Sequence, residues 1–387
     1  MNPLRLPPGV GGLSRRQMLL AAAAACAFPM ESDASTGLPA LRRGLNLSHW
    51  FEYEQSQSVP AEELVAMRQV GFDHVRIPVD PVVFGWRPDA GAARLAFLPS
   101  LRQAIETALT AGLEVVLDLH TTAETKSRIE QEPALEQALV SLWHQLGRAL
   151  ADLPPSGLAF ELFNEPQYYG WQARRWPALQ TRLLAAVREQ APRHLVLLTG
   201  NEGGSFKGLQ GLPRVSDAAV AYVFHYYEPF LFTHQGAHWL DTRYTTAGLR
   251  SNIRYPLSAQ EGVSPGLSQF HSRAARELAD YRSGQWGAAR VRADFDQAGA
   301  YARRHGVRLL CNEFGVIRAG VDPASRYRWM TDVRGALEAQ GLGWTLWDYS
   351  DIFGITDAAP VPPRGSLRKI EPAALQALGL HAAAARR

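Results

Sequence analysis

Residues 61–79, AEELVAMRQVGFDHVRIPV, contain the pattern that decides the fold. A helix-forming stretch, Ala61–Val70, runs into Gly71, and a short apolar run, His74–Val79, follows shortly after. Glycine after a helix adopts the left-handed conformation that ends it. A Val- and Ile-rich run flanked by helices is typical of a buried parallel strand. This segment therefore predicts a helix followed by a strand of a parallel sheet.

The same unit recurs along the chain. Eight apolar runs are predicted strands: Gly44–Leu47, His74–Val79, Glu114–Leu119, Leu158–Phe163, His194–Thr199, Ala219–Phe224, Arg308–Cys311 and Gly343–Leu346. Helix-forming segments lie between most of them, namely Ala61–Val70, Leu98–Ala111, Ala134–Leu150, Ala173–Gln190 and Arg290–His305. Eight such units predict an α/β fold, a single closed (β/α)8 TIM barrel. The alternative is a doubly wound open sheet, but no G-x-G-x-x-G motif follows the first strand, which argues against a dinucleotide site.

Length and composition fit one large globular domain. The chain has 387 residues, of which 46% are hydrophobic and 20% charged, as in an ordinary packed protein. Barrels of this kind reach ~250 residues or more as a single unit. The 40 Lys and Arg residues against 37 Asp and Glu give a net charge of +3, which is too balanced to favour a nucleic-acid or membrane-surface partner. We expect a monomer.

The N-terminus has the layout of an export signal. Residues 14–20, SRRQMLL, precede an apolar run, Ala21–Phe28, that is far shorter than the ~20 residues of a membrane-spanning helix. We predict a twin-arginine-type signal peptide at residues 1–34, a folded domain at residues 35–387 and a periplasmic or extracellular destination. An ordinary surface helix and a lipid anchor on Cys26 are the alternatives. If Cys26 leaves with the leader, only Cys311 remains, and its apolar surroundings predict a buried thiol.

One connection is much longer than the others. The stretch between Phe224 and Arg290 exceeds sixty residues and shows little periodicity. Long loops in compact domains are usually functional or mobile. In a barrel, this one lies on the C-terminal rim, where active sites are built.

Polar and aromatic side chains cluster at the ends of the predicted strands, one of them within strand two and the others beyond their strands. They are Arg76, His120, Asn164, Glu165, His225, Tyr227, Glu313 and Trp347. Because the carboxyl ends of all barrel strands face one side, we expect these side chains to converge on one pocket.

Two glutamates in this set, Glu165 and Glu313, indicate paired-carboxylate chemistry. Retaining glycosidases place two carboxyl groups ~5–5.5 Å apart, one protonated to assist the leaving oxygen and one ionised to attack. Two nearby carboxylates cannot both ionise cheaply, and Arg76 could hold one of them charged. Asn201-Glu202 repeats the Asn-Glu pattern, and composition alone does not choose among the pairs. Strands four and seven lie across the ring from each other, so we place Glu202 at the edge of the substrate.

The ordered set resembles glycoside hydrolase family 5, the cellulase-type family, from about Gly44 to about Asp357. Residues 225–239, HYYEPFLFTHQGAHW, are similar to a stretch of bacterial endoglucanases, and residues 353–355, FGI, to a turn seen there. The resemblance implies a retaining hydrolase that cleaves internal β-1,4-glucosidic bonds of a glucan by double displacement. It implies a polysaccharide or oligosaccharide partner, no cofactor and no metal.

The resemblance also implies a role for each matching residue. Glu165 is the implied acid/base and Glu313 the implied nucleophile, while Asn164 hydrogen-bonds the sugar 2-hydroxyl. Arg76 and Tyr227 hold Glu313 ionised and oriented. His120 and His225 line the −1 subsite, which binds the sugar under attack, and His225 supports Glu165. Trp347 forms the floor of that subsite.

Further tryptophans are candidates for more distant sugar subsites, because flat rings bury the apolar faces of pyranoses. We expect the six outside helices and beyond strand ends to contribute, or to pack the loops: Trp50, Trp86, Trp171, Trp239, Trp286 and Trp347.

Other functions stay open from the sequence. The same mechanism could act on mannan, xyloglucan, mixed-linkage glucan, β-1,3-glucan or a bacterial exopolysaccharide. A metal-dependent hydrolase would use Asp118, His120 and His225 as ligands, although a barrel of that kind usually has His-x-His at its first strand. A non-catalytic sugar-binding barrel is the alternative from another class.

Overall fold

A computed structural model describes residues 37–52, 58–87, 95–237, 239–240, 253–256, 272–357 and 367–381. The eight strands are β1 (Arg43–Asn46), β2 (His74–Val79), β3 (Glu114–Leu119), β4 (Leu158–Glu161), β5 (Leu195–Thr199), β6 (Val220–Tyr226), β7 (Leu309–Phe314) and β8 (Gly343–Leu346). Each strand pairs in parallel with the next, and β8 pairs with β1, which closes the barrel. The predicted (β/α)8 barrel is confirmed.

Helices cover the outside of the barrel. They are α1 (Ala61–Val70), α2 (Leu98–Thr110), α3 (Ala123–Gln131), α4 (Pro133–Leu150), α5 (Arg175–Gln190), α6 (Ser272–Ser283), α7 (Ala288–His305), α8 (Pro323–Ala339) and α9 (Pro372–Ala377). Shorter helical turns occur at Gly170–Arg174, Asn201–Gly204, Phe206–Gln210 and Phe230–Thr233. Gly71 ends α1 with φ of 113°, the left-handed stop that the sequence predicts.

The long connection between β6 and β7 contains more helix than expected. The short helix Phe230–Thr233 and all of α6 lie in the stretch that we predicted to have little periodicity. The polar sequence of α6, SRAARELADYRS, has few apolar residues to mark a buried face, which is why the pattern does not stand out. Residues 241–252 and 257–271 of this connection lie outside the described residues.

The inside of the barrel has an apolar layer and, towards the strand carboxyl ends, a polar one. Val116, Leu197, Val223 and Leu310 belong to a buried apolar cluster on the strands. Side chains alternate across each strand, so the inward position two residues beyond Val116 is Asp118. The polar layer consists of Asn46, Arg76, Asp118, Glu161 and Asn312, all buried and linked by hydrogen bonds or ion pairs. It forms a charged platform under the catalytic face.

Strand β7 carries a bulge at its functional end. Cys311 pairs with Phe224, whereas Glu313 pairs with His225, so β7 contains one extra residue at Asn312. Bulges bend a strand and change the direction of its side chains. Cys311 just before the bulge is fully buried, as predicted.

Among the described helices, none combines the length and apolar character needed to cross a membrane. The predicted signal peptide lies outside the described residues.

Candidate active site

Glu313 is held by two side chains from different strands. Nη1 of Arg76 donates to its Oε1 at 2.7 Å, and the hydroxyl of Tyr227 donates to its Oε2 at 3.0 Å. Arg76 is fully buried, so its charge acts on the carboxylate with little solvent screening. Both contacts fix the orientation of the Glu313 carboxyl group.

Glu165 faces Glu313 across His225. Nδ1 of His225 lies 3.0 Å from Oε1 of Glu165 and 3.3 Å from Oε2 of Glu313. One oxygen of each glutamate and this ring nitrogen all lie within 4.8 Å of one another. Glu165 follows the end of β4 with φ of 47°, a left-handed conformation that is rare for a residue with a side chain. Such backbone strain clusters at functional sites.

Glu165 and His225 shift each other's pKa in opposite directions. Burial alone would raise the pKa of Glu165, but the hydrogen bond from His225 and the charge of Lys126 outweigh it and lower that pKa. Burial alone would lower the pKa of His225, but Glu313 and Glu165 outweigh it and raise it above 6.5. Both shifts favour a proton on the histidine side of this contact.

The polar layer below the glutamates fixes Arg76. Its Nε and Nη2 donate to the two oxygens of Glu161 at 2.7 and 2.9 Å, a bidentate pair. Nη2 also lies 2.9 Å from Asp118. The guanidinium group of Arg76 thus contacts three buried carboxyl groups, those of Glu161, Asp118 and Glu313. Burial raises the pKa of Asp118 to about 7 against the opposing charge of Arg76, and burial also raises the pKa of Glu161.

Asn164 and His120 form a second hydrogen-bonded chain. Oδ1 of Asn164 accepts from Arg76 at 3.0 Å, and its Nδ2 lies 3.0 Å from Nε2 of His120. Nδ1 of His120 lies 2.9 Å from Asp118. Burial lowers the pKa of His120, which favours the neutral ring. A neutral ring with its proton on Nδ1 donates to Asp118 and accepts from Asn164 at Nε2. The second amide hydrogen of Asn164 stays available for a substrate hydroxyl.

Beside these residues lies a cavity of about 630 Å³ with two different walls. The apolar wall contains Trp239, Trp347, Ile352 and Phe353, and Trp347 stacks on His120 with ring centroids 5.6 Å apart. The polar wall is lined by His49, Glu52, Asp80, Thr121, Thr122, Lys126 and Asp351. A cavity lined by both aromatic rings and hydrogen-bonding groups is the environment that a pyranose ring needs.

The candidate subsite tryptophans divide into three groups. Trp347 and Trp239 line the cavity, and Trp239 is 49% exposed. Trp50 and Trp86 are 7% and 2% exposed, which agrees with the second of the two expectations, that some of these tryptophans pack the loops. Trp286 lines a separate hollow of about 380 Å³, where Arg290 lies 5.1 Å from its ring centroid. Trp171 lies in the helical turn Gly170–Arg174, contrary to its predicted position outside helices, and its side chain lies outside the described atoms.

Glu202 is separate from the paired glutamates. Its carboxylate is exposed and forms an ion pair with Lys207 at 2.9 Å. It lies in a left-handed turn, next to Gly203, whose amide donates to the carbonyl of Pro166 at 3.0 Å. This places it beside the loop that carries Glu165.

Sequence reasoning missed several residues of the site. Glu161 supports Arg76, and Asp80 and Lys126 line the cavity, yet none of them follows a recognisable motif. Asp118, a candidate metal ligand from the sequence, is already engaged by Arg76 and His120. Among the residues that the structure describes, the cluster compact enough for a cation is instead Glu165, His225 and Glu313.

Another hollow, of about 560 Å³, opens at the opposite end of the barrel, around the starts of β1, β7 and β8. Its ionisable groups include Arg42, Arg43, Arg303 and Glu338. Active sites of this fold lie at the carboxyl ends of the strands, and the paired glutamates agree with that rule.

A (β/α)8 barrel with two glutamates facing each other at its catalytic rim, one clamped by arginine and tyrosine, defines a glycosidase. Comparison with known proteins makes the assignment specific. A family model described as cellulase, glycosyl hydrolase family 5, matches residues 34–352. The chain belongs to the cellulase family, glycosyl hydrolase family 5.

Relatives and solved structures agree with this family. Endoglucanase C of Acetivibrio thermocellus is 26% identical over 323 residues, which cover 80% of this chain and 91% of the relative. A solved endoglucanase is 25% identical, has a TM-score of 0.70 and covers 88% of this chain and 97% of its own. Thermotoga maritima Cel5A, solved with mannotriose, shares the fold at 21% identity and a TM-score of 0.70, over 90% of this chain and 100% of its own.

Proposed function

We propose that this protein hydrolyses internal β-1,4-glucosidic bonds of a glucan with retention of anomeric configuration. One observation carries the mechanism: an oxygen of Glu165 and an oxygen of Glu313 lie within 4.8 Å of each other. Retaining enzymes hold their carboxyl groups ~5–5.5 Å apart, whereas inverting enzymes leave ~6.5–9.5 Å for a water molecule. The short separation favours direct attack by a carboxylate.

In the first step, Glu313 attacks the anomeric carbon and the glycosidic bond breaks. Arg76 and Tyr227 keep Glu313 ionised and aimed through their 2.7 and 3.0 Å contacts. Glu165 gives a proton to the departing oxygen, and a covalent glycosyl ester forms on Glu313. In the second step, Glu165 takes a proton from water, the hydroxide oxygen bonds to the anomeric carbon, and Glu313 leaves.

We infer that His225 supplies this acid with its proton. Glu165 must carry a proton before the first step, yet, against the effect of burial, the hydrogen bond from His225 lowers its pKa in the free protein. The 3.0 Å contact with His225 provides a direct path for that proton. Substrate that fills the cleft displaces water from Glu165 and makes the neutral carboxyl more favourable.

The sugar under attack lies on the His120 side of the glutamates. Trp347 offers its ring as the floor, and Asn164 offers its remaining amide hydrogen to the 2-hydroxyl. That contact strengthens as positive charge develops on the sugar ring. The binding of Asn164 to both Arg76 and His120 fixes the amide before substrate arrives.

The mechanism is tested by the stereochemistry of the product. Proton NMR of cello-oligosaccharide hydrolysis should show the β-anomer first, with the α-anomer appearing later by mutarotation. A 2-deoxy-2-fluoro cellobioside should leave its glycosyl group on Glu313, detected by peptide mass spectrometry. Initial release of the α-anomer, or a label on another residue, would refute double displacement through Glu313.

The substrate proposal is supported by the endoglucanase relatives and by the two-walled cavity. It is tested by reducing-end release from carboxymethyl-cellulose, mixed-linkage glucan, mannan, xyloglucan and laminarin, with Glu313→Gln as the blank. Strong release from the first two supports a β-1,4-glucanase. Release mainly from mannan would keep the mechanism and change the substrate, a comparison that matters because the similar Cel5A was solved with mannotriose. Binding without turnover on every polymer would favour the non-catalytic sugar-binding barrel.

We also infer export through the twin-arginine route, which the Arg15-Arg16 pair and the short apolar run support. Replacing both arginines with lysine should leave the protein in the cytoplasmic fraction of the producing cell. Unchanged export of that variant would refute the route.

A further inference from the structure

The loop that carries Glu165, residues 165–169, begins with a strained backbone. Glu165 has φ of 47°, a left-handed conformation that persists only where the surrounding structure enforces it. The residues that follow Glu165 therefore have to be held from outside this loop. Three hydrogen bonds that hold them come from the turn after β5, residues 201–205, which we call the β5 turn. This turn contains Asn201-Glu202, the Asn-Glu pair that the paired-glutamate chemistry leaves unused.

Asn201 binds the main chain of the Glu165 loop with both ends of its side-chain amide. Its Oδ1 accepts from the amide of Tyr168 at 2.9 Å, and its Nδ2 donates to the carbonyl of the same residue. Asn201 is 8% exposed, and Tyr168 is fully buried. Buried hydrogen bonds are costly to break, and two of them to one residue fix both its distance and its orientation. Asn201 thus anchors the loop three residues after Glu165.

The main chain of the β5 turn adds a third hydrogen bond, next to Glu165 itself. The amide of Gly203 donates to the carbonyl of Pro166 at 3.0 Å. Glu202 and Gly203 both have positive φ, of 56° and 68°, and this left-handed backbone presents the amide to the loop. Glycine adopts such a conformation without the steric cost that a side chain brings. The residue directly after Glu165 is therefore fixed as well.

The same turn also contacts His225, the partner of Glu165. Ser205 pairs with His225 in an isolated parallel bridge. A Cβ added to Gly204 would lie 3.3 Å from Nδ1 of His225, the ring nitrogen that lies 3.0 Å from Glu165. A glycine at this position leaves the room that the imidazole ring occupies. The β5 turn therefore holds both partners of the contact between Glu165 and His225.

We propose that the β5 turn positions Glu165 against His225 for proton transfer. Asn201 acts through the main chain of Tyr168, so it is a positioning residue and not a catalytic one. Proton donation to the leaving oxygen and proton removal from water both depend on the position of Glu165, whereas the attack by Glu313 does not. The inference rests on the proposed function and deepens it, because it gives the second Asn-Glu pair a part in acid/base catalysis.

The test compares Asn201→Ala with the wild type, and Gln137→Ala is the matched control. Gln137 also uses its side-chain amide, but on an exposed helix face, where it accepts from Arg182 at 2.8 Å, so the control should keep full activity. On cellotetraose, whose leaving oxygen needs a proton, Asn201→Ala should lose about 10–100-fold in kcat/KM, the effect expected when a catalytic group is misplaced. On 2,4-dinitrophenyl β-cellobioside, whose leaving group needs no acid, kcat/KM should stay within twofold of wild type.

The second step of the reaction gives an independent readout. Breakdown of the glycosyl ester needs Glu165 as a base, so the ester should accumulate in Asn201→Ala. On the dinitrophenyl substrate, kcat and KM should then fall together. Azide attacks the ester without a base and should restore kcat. A general loosening of the barrel would instead lower kcat/KM on both substrates and would not respond to azide.

Two substitutions in the β5 turn separate backbone strain from the contact with His225. Gly203→Ala and Gly204→Ala place a side chain at φ of 68° and 71°, so both should lower the thermal midpoint by a similar amount. Among the described residues, no atom beyond the adjacent chain lies within 4 Å of a Cβ at Gly203, whereas the Cβ at Gly204 meets His225. Gly204→Ala should therefore lose several-fold more kcat/KM on cellotetraose than Gly203→Ala. This pair tests the proposal even if Asn201→Ala does not fold.

Three results would overturn the proposal: kcat/KM of Asn201→Ala on cellotetraose within twofold of wild type, an equal loss on both substrates, or equal losses for the two glycine variants. A folded wild type that cleaves neither a β-glucan nor the aryl cellobioside would instead overturn the proposed function, and this inference with it.

Discussion

Replacing Arg76 with methionine would leave Asp118, Glu161 and Glu313 buried around an uncharged side chain. All three now lie within 2.9 Å of the guanidinium, and Arg76, Asp118 and Glu161 are shielded from solvent. Removing one partner of a buried ion pair costs about 3–5 kcal/mol in the free energy of unfolding. We expect the free energy of unfolding of Arg76→Met to be lower than that of the wild type by this amount at pH 7.

The loss should grow with pH. Burial already raises the pKa of Asp118 from 3.8 to about 7, so its contribution to stability is full at low pH and declines as pH rises through 7. Arg76 opposes that rise, and without it the carboxyl group keeps its proton to still higher pH. Each carboxyl group protonated only in the folded state costs about 1.4 kcal/mol per pH unit. From pH 7 to 8.5, the variant should therefore lose about 2 kcal/mol more than wild type.

Urea denaturation followed by tryptophan fluorescence, at pH 7 and at pH 8.5, measures both quantities. Arg102→Met is the matched control, since Arg102 pairs with Asp152 at 2.7 Å on the surface, where ion pairs contribute little. The control should show a much smaller loss that does not change between these pH values. A destabilisation of Arg76→Met below 1 kcal/mol, or one independent of pH, would refute the account of the polar layer.

Three further predictions concern the cleft. Tyr227→Phe removes the 3.0 Å hydrogen bond to Glu313. It should lower kcat/KM on cello-oligosaccharides by about 10–100-fold and leave the thermal midpoint unchanged. A loss below threefold would contradict a role of Tyr227 in orienting Glu313. His225→Asn removes the group whose pKa lies above 6.5. The alkaline limb of the pH profile of kcat/KM should therefore move, and kcat should fall about 100-fold or more. An alkaline limb that stays at its wild-type pH would exclude His225 as the group that supplies the proton. Trp239→Ala should raise KM several-fold, because it removes an exposed ring that lines the cavity. Trp86→Phe should lower the thermal midpoint and leave KM unchanged, because Trp86 is buried. The reverse pattern would show that exposure does not distinguish sugar-binding tryptophans from packing ones.

The barrel could be predicted because each of its eight units repeats one local pattern. Gly71 and Gly306 stop helices with left-handed backbones, and short apolar strands follow them. Strand ends were less certain: β4 stops at Glu161, and β7 continues to Phe314 through a bulge. Pairing with neighbouring strands sets these ends, and one chain segment does not contain that information.

The candidate site was predictable where a residue lies directly after its strand, as Tyr227 does after β6, or a few residues beyond it, as Glu165 does after β4. Glu161 was not, because its inward direction depends on alternation within a barrel whose register was unknown. Asp80 directly follows β2 and Lys126 lies in α3, which follows β3, and only the pairing of those strands brings the two residues to one cavity. The exposure of Trp50 and Trp86 likewise depends on loop packing that no motif encodes.

The left-handed backbone of Glu165 has a consequence for engineering. A residue with a side chain pays about 1–2 kcal/mol to adopt this conformation, whereas glycine does not. A library selected for thermal resistance alone should therefore drift towards glycine or asparagine at this position and accumulate catalytically dead barrels. Directed evolution of a more thermostable enzyme from this chain therefore needs selection for turnover in every round, because the substitution that most easily raises stability at this position removes Glu165.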